Sequence, residues 1–253
     1  MTQGNPAIQY GRIDVHSHLI PGVDDGCPTL EESFACARAL VKAGYTHCFC
    51  TPHIWPNLPA AGAGPFKPEF ITRQTARLQA ALDEAGIPLK LMPGGEINLR
   101  PDTIDTPPAE LVTFGLANRF ALIDLWADEL PAFFKPGVRW LQSRGLTVIL
   151  AHPERMRAVQ LKPELADTVA ELGVRLQGNL QCFSDPPTAP TRRLAEQFLT
   201  EGRYFLLGSD LHNLKTLDLR MDGLKRAIEL VGQAEVDRLT RENPAQLLPS
   251  AGK

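Results

Sequence analysis

The sequence predicts an α/β protein that folds as a single closed or nearly closed parallel β/α barrel. Two observations lead there. Seven short apolar runs with strand character alternate with stretches of helical periodicity along the 253 residues. Most of the histidines and several acids fall at or near the C-terminal ends of those runs, the rim on which β/α barrels build their sites.

The first strand, residues 12–15, runs into RIDVHSHLIPGVDDG, which places His16, His18, Asp14, Asp24 and Asp25 within residues 12–26. TLEESFACARALVKAG, 29–44, reads as a helix. Thr29 and Glu32 have capping-box spacing, Leu30, Phe34, Ala37 and Val41 recur at helical intervals, and Gly44 stops it. YTHCFCTPH is a buried strand running into His53. Residues 69–86 are helical, and PLKLMPGGE is a strand ending at Glu96. RFALIDL is a strand carrying Asp124. Residues 132–144 are helical, and LTVILAHPER contains a strand ending at His152. KPELADTVAELG is a helix, VRLQGNL a strand and TRRLAEQFLTEG a helix. YFLLGSDLH is the last strand and brings Asp210 and His212. Residues 219–232 and about 235–248 close the chain as helices. Residues 55–66, WPNLPAAGAGPF, form a long Pro/Gly/Ala-rich loop of the kind that serves as a lid or binding segment, and a second loop lies at 101–108.

Composition narrows the classes of function. A hydrophobic fraction of 43% suits a chain with a full core. A net charge of −3 argues against nucleic acid as the main partner. The five cysteines, Cys27, Cys36, Cys48, Cys50 and Cys182, make no disulfide framework and fit a reduced, cytoplasmic protein. Cys48 and Cys50 are expected on opposite faces of their strand. Residues 1–11 contain no apolar segment of signal-peptide type and read as a flexible extension of one domain spanning 1–253. No apolar run is long enough to span a bilayer, so membrane insertion is not expected.

Five of the six histidines join the strand-end group, and only His47 stays outside it. Imidazoles mixed with carboxylates suit Mn, Fe or Zn, and so many acids in one place repel one another unless cations neutralise them. The donors outnumber what one ion takes, which predicts two to three ions.

The ordered set DVHSH, TPH, GGEI, AHPER and SDLH resembles the PHP (polymerase and histidinol phosphatase) superfamily. IDVHSHLIPGVDDG, CTPH, AHPER and GSDLHN are similar to its bacterial tyrosine-protein phosphatases of capsular and exopolysaccharide synthesis. The motifs span residues 13–213, and ENPAQLL resembles the closing helix. The resemblance implies a distorted, TIM-like (β/α)7 barrel with three metal ions, Mn2+ first and Fe or Zn as alternatives. One ion would take His16, His18, Glu96 and Asp210. A second would share Glu96 and add Asp124 and His152. A third would take Asp25, with Asp24 as the alternative, His53 and His212. Asp14 would orient a histidine from behind the ligands. The chain departs from the subgroup in three places: Asp124 stands where a glutamate is expected, Asn98 follows GGEI where an arginine is expected, and LKTLDLR replaces an arginine before a proline pair.

Phosphate ester hydrolysis fits such a site, with a metal-activated hydroxide as nucleophile. Arg155 is placed to grip the phosphate, ahead of Arg100 and Arg157. Trp55 and Phe66 either stack on an aromatic leaving group or pin the long loop. Thiol chemistry of the phosphatase kind needs an arginine six positions after the cysteine. The residues found there are Ser33, Lys42, Ile54, Pro56 and Thr188. The expected substrate is a phosphotyrosine protein, the tail of a polysaccharide-synthesis tyrosine kinase, with histidinol phosphate or a nucleotide as the small-molecule alternative. Homo-oligomerisation stays open. A kinase-binding protein with structural metals, and an amidohydrolase with a bridging lysine, are the readings from other classes.

Overall fold

The structure, a computed structural model, describes residues 10–55 and 66–249. The long loop expected at 55–66 therefore lies outside the described residues apart from its two ends, as does the expected extension up to residue 9.

Strand β1 (Arg12–Asp14) pairs in parallel with β2 (Tyr45–Cys50), which pairs with β4 (Lys90–Pro93). A second parallel sheet runs β3 (His53–Ile54), β5 (Glu96–Asn98), β6 (Phe120–Asp124), β7 (Thr147–Ala151), β8 (Arg175–Asn179) and β9 (Tyr204–Gly208). The nine described strands form the seven expected passages, because two passages are broken. Thr51-Pro52 separates β2 from β3, and Gly94-Gly95 separates β4 from β5. Proline offers no donor to a ladder, and the glycines supply little to hold a strand straight. The broken passages stay adjacent: the Glu96 amide donates to Pro52 O at 3.0 Å. The outer edges of the two sheets meet at one parallel bridge, Ser17 with Leu211. There the His18 amide donates to Leu211 O at 2.9 Å and the Asp210 amide to His16 O at 2.7 Å.

Alternate strand residues divide between two cores. Phe120, Leu122, Ile149 and Ala151 join the smaller, with Ile13, Phe49 and Leu206. Ala121, Ile123, Val148 and Leu150 join the larger, with helix residues such as Leu40, Leu78, Leu141 and Phe198. This is the inside–outside split of a barrel wall. Cys48 and Cys50 both belong to the larger core, while Phe49 belongs to the smaller. The expectation of opposite faces is corrected: residues two apart on a strand share a face.

The helices are α1 (Leu30–Lys42), α2 (Pro68–Glu84), α3 (Phe134–Ser143), α4 (Arg157–Leu161), α5 (Leu165–Glu171), α6 (Pro190–Thr200), α7 (Leu217–Asp237) and α8 (Asn243–Ala245). Thr29 caps α1, its hydroxyl accepting from the Glu32 amide at 3.3 Å, but the Glu32 carboxylate turns instead to the Leu214 amide at 3.4 Å. The buried stripe of α1 is Ser33, Cys36, Ala37 and Leu40, shifted from the expected one, and Leu30 is exposed. α7 contains Gly232 at φ +82°, a left-handed break that separates the two helices expected around it. The expected loop at 101–108 coils into two short 3-10 turns, Pro101–Asp105 and Pro108–Glu110. Among the described residues no helix is long and apolar enough to cross a membrane.

Candidate metal centre

Five histidines and four carboxylates meet in one pit at the C-terminal rim. Donor atoms of His18, Asp25, His53 and His212 lie within 4.8 Å of one another, as do those of His16, Glu96 and His152, of His16, His18 and Asp210, and of His53, Glu96 and Asp124. These are the nine residues the motifs singled out as ligands. The grouping differs from the expected sets: His18 also joins Asp25, His53 and His212, Glu96 groups with His16 and His152 apart from Asp210, and Asp124 shares its cluster with His53 and Glu96 rather than with His152.

Local structure explains how each residue arrives. His16 and His18 follow β1 two apart and so share a side of the strand. The turn after them folds back so tightly that a Cβ on Gly26 would lie 2.2 Å from His18 O. That turn presents Asp24 and Asp25. Glu96 opens β5 after the Gly94-Gly95 break, and His53 opens β3 after Pro52. His152 and Asp210 follow β7 and β9 in left-handed backbone, at φ +33° and +50°. Non-glycine residues held there carry strain, which the surroundings must fix. At Asp210 the buried Arg220 does so, its guanidinium donating twice to Asp210 O at 3.1 and 2.5 Å. Gly208 lets β9 approach closely, since a Cβ there would lie 2.8 Å from His16 Cβ.

The two adjacent acids take different tasks. Asp24 accepts from His18 Nδ1 at 2.7 Å and from the amides of His53 and Gly26, each at 3.0 Å. Asp25 lies 3.3 Å from His53 Nε2 and 3.5 Å from His212 Nε2, with its carboxylate exposed. Asp14 does not touch a ring. It accepts from Ser209 Oγ at 2.5 Å, the Ser209 amide at 2.9 Å and the His16 amide at 3.3 Å. Its expected role as a histidine orienter is thus corrected: it pins backbone across the seam between β1 and β9. The His16 ring is oriented by Gln177, whose Oε1 accepts from Nδ1 at 2.8 Å, and the His18 ring by Asp24.

The pit is short of positive charge. Glu96 Oε2 is fully buried and has no hydrogen-bond partner, yet His53 Nδ1, His16 Nε2 and His18 Nε2 lie 2.7, 3.4 and 3.7 Å from it. His16 Nε2 and His18 Nε2 approach each other to 3.3 Å. With each Nδ1 turned to an acceptor outside the pit, the two Nε2 atoms face each other, and a proton or a cation between them relieves that approach. Burial works against charge on His16 and His18, but Glu96 and Asp210 around the first, and Asp24 and Asp210 around the second, outweigh it and raise both. Burial also opposes charge on His53, whose contacts with Asp25 and Glu96 raise it to about 9. Burial and the neighbouring Glu96 push the Asp124 carboxyl up to about 7. A buried set this rich in imidazole and carboxylate fits divalent cations of the Mn, Fe and Zn kind.

Arg155 donates to Asp210 Oδ2 at 2.6 Å, and its side chain is 43% exposed. It lines a cavity of about 460 Å³ together with Trp126 and His152. Arg157 pairs with Asp128 and Arg100 with Asp102, both as exposed pairs. Trp55 lies tilted against the His53 ring at 4.6 Å, while Phe66 is buried and stacks on Phe70 at 5.0 Å. The five cysteines are free and buried, and burial pushes the thiols of Cys48, Cys50 and Cys182 up, the reverse of nucleophile activation.

Motif reading missed several supporting residues. Asn98 donates to Asp124 Oδ1 at 2.8 Å and the Trp126 indole N–H donates to Oδ2, so the short carboxylate is held from both sides. Asn179 Nδ2 donates to Asp210 Oδ2 at 2.8 Å. Glu154, pushed up to about 7 by burial, accepts from the Asn179 amide at 2.6 Å and from Tyr204 Oη at 2.9 Å. Asn179 ends β8 and so carries the strand-end signal of the histidines, whereas Gln177 lies at the middle of that strand.

A distorted parallel β/α barrel with imidazoles and carboxylates pooled at its C-terminal rim is the build of a metal-dependent hydrolase. Within that class the chain belongs to the capsular polysaccharide synthesis family CpsB/CapC, whose model matches residues 12–249. The chain is 29% identical over 245 residues to tyrosine-protein phosphatase YwqE of Bacillus subtilis (strain 168), covering 93% of this chain and 91% of that one. It is 25% identical over 251 residues to tyrosine-protein phosphatase CpsB of Streptococcus agalactiae serotype V, covering 93% and 98%. Its fold matches a solved structure described as YwqE from Bacillus subtilis and CpsB from Streptococcus pneumoniae, unique metal-dependent tyrosine phosphatases. That match has a TM-score of 0.81 at 24% identity and covers 93% of this chain and 94% of the other.

Proposed function

We propose that this protein is a metal-dependent protein tyrosine phosphatase, cytoplasmic and of one domain, that removes phosphate from the tail of a polysaccharide-synthesis tyrosine kinase. The observation that carries the metal reading is Glu96 Oε2, buried without a donor among three histidine nitrogens. Family membership and the printed activities of the relatives support the substrate class. His16, His18, Glu96 and Asp210 hold one ion, Glu96, Asp124 and His152 a second, and Asp25, His53 and His212 a third, with Mn2+ as the metal. When bound, such ions supply Lewis acidity, making water a nucleophile near neutral pH and neutralising charge on phosphoryl oxygens.

The chain's own residues do the rest. Gln177 and Asp24 hold the His16 and His18 rings so that their Nε2 atoms point into the pit. Asp14 locks the backbone of the first and last strand passages together. Arg155 keeps one N–H on Asp210, and the exposed remainder of its guanidinium binds the phosphate in the adjoining cavity. Asn98 and Trp126 fix both oxygens of Asp124.

The test is hydrolysis of a phosphotyrosine peptide, compared with histidinol phosphate and a nucleoside monophosphate, by Mn2+-loaded protein. Elemental analysis is run alongside. The peptide is expected to be cleaved best, EDTA to abolish turnover, and His152→Ala to lose both activity and bound metal. Equal activity after chelation, with no metal in the purified protein, overturns the reading.

A further inference from the structure

We propose that Trp126 sets this site's preference for aryl over alkyl phosphate esters, its indole forming the wall against which the leaving group's aromatic ring lies. The proposal rests on the phosphotyrosine-phosphatase assignment and names the residue that recognises the tyrosyl ring.

Trp126 is 68% exposed, the most exposed of the large hydrophobic residues among those described. An indole in water is ordinarily mobile, yet this one is tethered at two places. Its N–H donates to Asp124 Oδ2, so its polar edge is fixed at the pit. Its ring meets Trp55 edge to face, with centroids 5.5 Å apart and planes at 86°. Trp55 in turn rests on His53. The result is a rigid aromatic surface, still largely uncovered, that forms part of the lining of the cavity holding His152 and Arg155. At about 460 Å³ the cavity is within the ordinary range for a small organic ligand. A phosphoryl group bound by Arg155 beside His152 places the ester's organic part in the rest of that cavity. A phenyl ring there gains an aromatic contact that a seryl or methyl group cannot make.

The tether also accounts for the aspartate. Asn98 occupies Asp124 Oδ1 and Trp126 occupies Oδ2, so the carboxylate's position and the indole's position are coupled. The chain thus ties a ring-binding surface to a donor of the pit through one hydrogen bond.

Two variants separate the ring surface from the tether. Both Trp126→Phe and Trp126→Leu lose the N–H to Asp124, but only Trp126→Phe keeps an aromatic face. With Mn2+-loaded full-length protein, KM for a phosphotyrosine peptide is measured with Ki for methylphosphonate, a ringless reference. Relative to Trp126→Phe, Trp126→Leu is expected to raise KM about three- to tenfold, the range aromatic pairing gives. Ki for methylphosphonate is expected to stay within about twofold of its Trp126→Phe value, and kcat to change little, since the contact exists before and during bond breaking. Equal KM in the two variants, or a parallel rise in Ki, overturns the proposal. A wild-type protein that cleaves the peptide while failing this comparison overturns the proposal alone. A wild-type protein that does not cleave it, or that cleaves the phosphoserine version equally well, overturns the phosphotyrosine assignment as well.

Discussion

Gln177 carries no charge and touches no substrate, yet the orientation of His16 depends on it. It is fully buried, and its Oε1 is the acceptor that keeps the His16 Nδ1 proton outward and Nε2 turned into the pit. Partners of this kind tune metal affinity by about 10–100-fold when removed. Gln177→Leu is therefore expected to weaken Mn2+ binding by roughly that factor in a competition titration. Its activity is expected to return at high Mn2+. The histidines stood out in the sequence because they are few and cluster with acids. A glutamine within VRLQGNL, and a tryptophan two positions past Asp124, have no such rarity. Gln177 matters through His16, 161 positions away in the chain, and Trp126 through a side-chain hydrogen bond to Asp124 that residue type alone does not announce. Arg220 was equally inconspicuous. It sits within the LKTLDLR segment that departs from the family pattern, and the fold spends it on the carbonyl of Asp210 rather than on the pit.

At the scale of elements, the alternation of apolar runs and helical stretches was enough to read the seven strand passages and most helices. The breaks were visible as Pro52 and Gly94-Gly95, but whether such residues end a strand or bend it depends on the neighbours that re-pair it. The α1 stripe was misplaced because Ser33 looks polar. Its hydroxyl donates to Leu19 O at 2.7 Å and so enters the core satisfied. The turn before α1 shows how an element governs the site. A side chain on Gly26 collides with the backbone of His18, so Gly26→Ala must displace the turn that presents Asp24 and Asp25. Elemental analysis of that variant is expected to show loss of the metal held with His53 and His212. Thr29→Ala, at the N-cap of α1, is expected to cost about 1 kcal/mol in urea denaturation. It should leave metal content unchanged.

For the whole molecule, the pooled charges predict a pH dependence of stability in metal-free protein. Asp124 and Glu154 are raised to about 7 from ordinary values of 3.8 and 4.5, and His53 to about 9 from 6.5. Each binds its proton more tightly when folded, so its stabilising contribution is complete below the ordinary value and disappears as pH rises through the raised one. His152, lowered mainly by burial, acts in the opposite direction below its ordinary 6.5. His16 and His18, also raised, act with the first three, so between pH 5.5 and 8.5 the chelated protein is expected to lose stability steadily in denaturant unfolding. Saturating Mn2+ should remove much of that slope, because cations then replace protons around Asp124 and His53 while Glu154 keeps its share. The barrel itself has a second consequence, through the single bridge between Ser17 and Leu211. That closure joins the opening of the chain to a segment nearly two hundred residues later, and the pit draws donors from both sides of it. A ribosome must therefore deliver more than two hundred residues before the donor groups that include Asp210 or His212 can assemble. Until then His16 and His18 wait without Asp210, and Asp25 and His53 without His212, so cation uptake at those two groups follows the docking of the last strand passage.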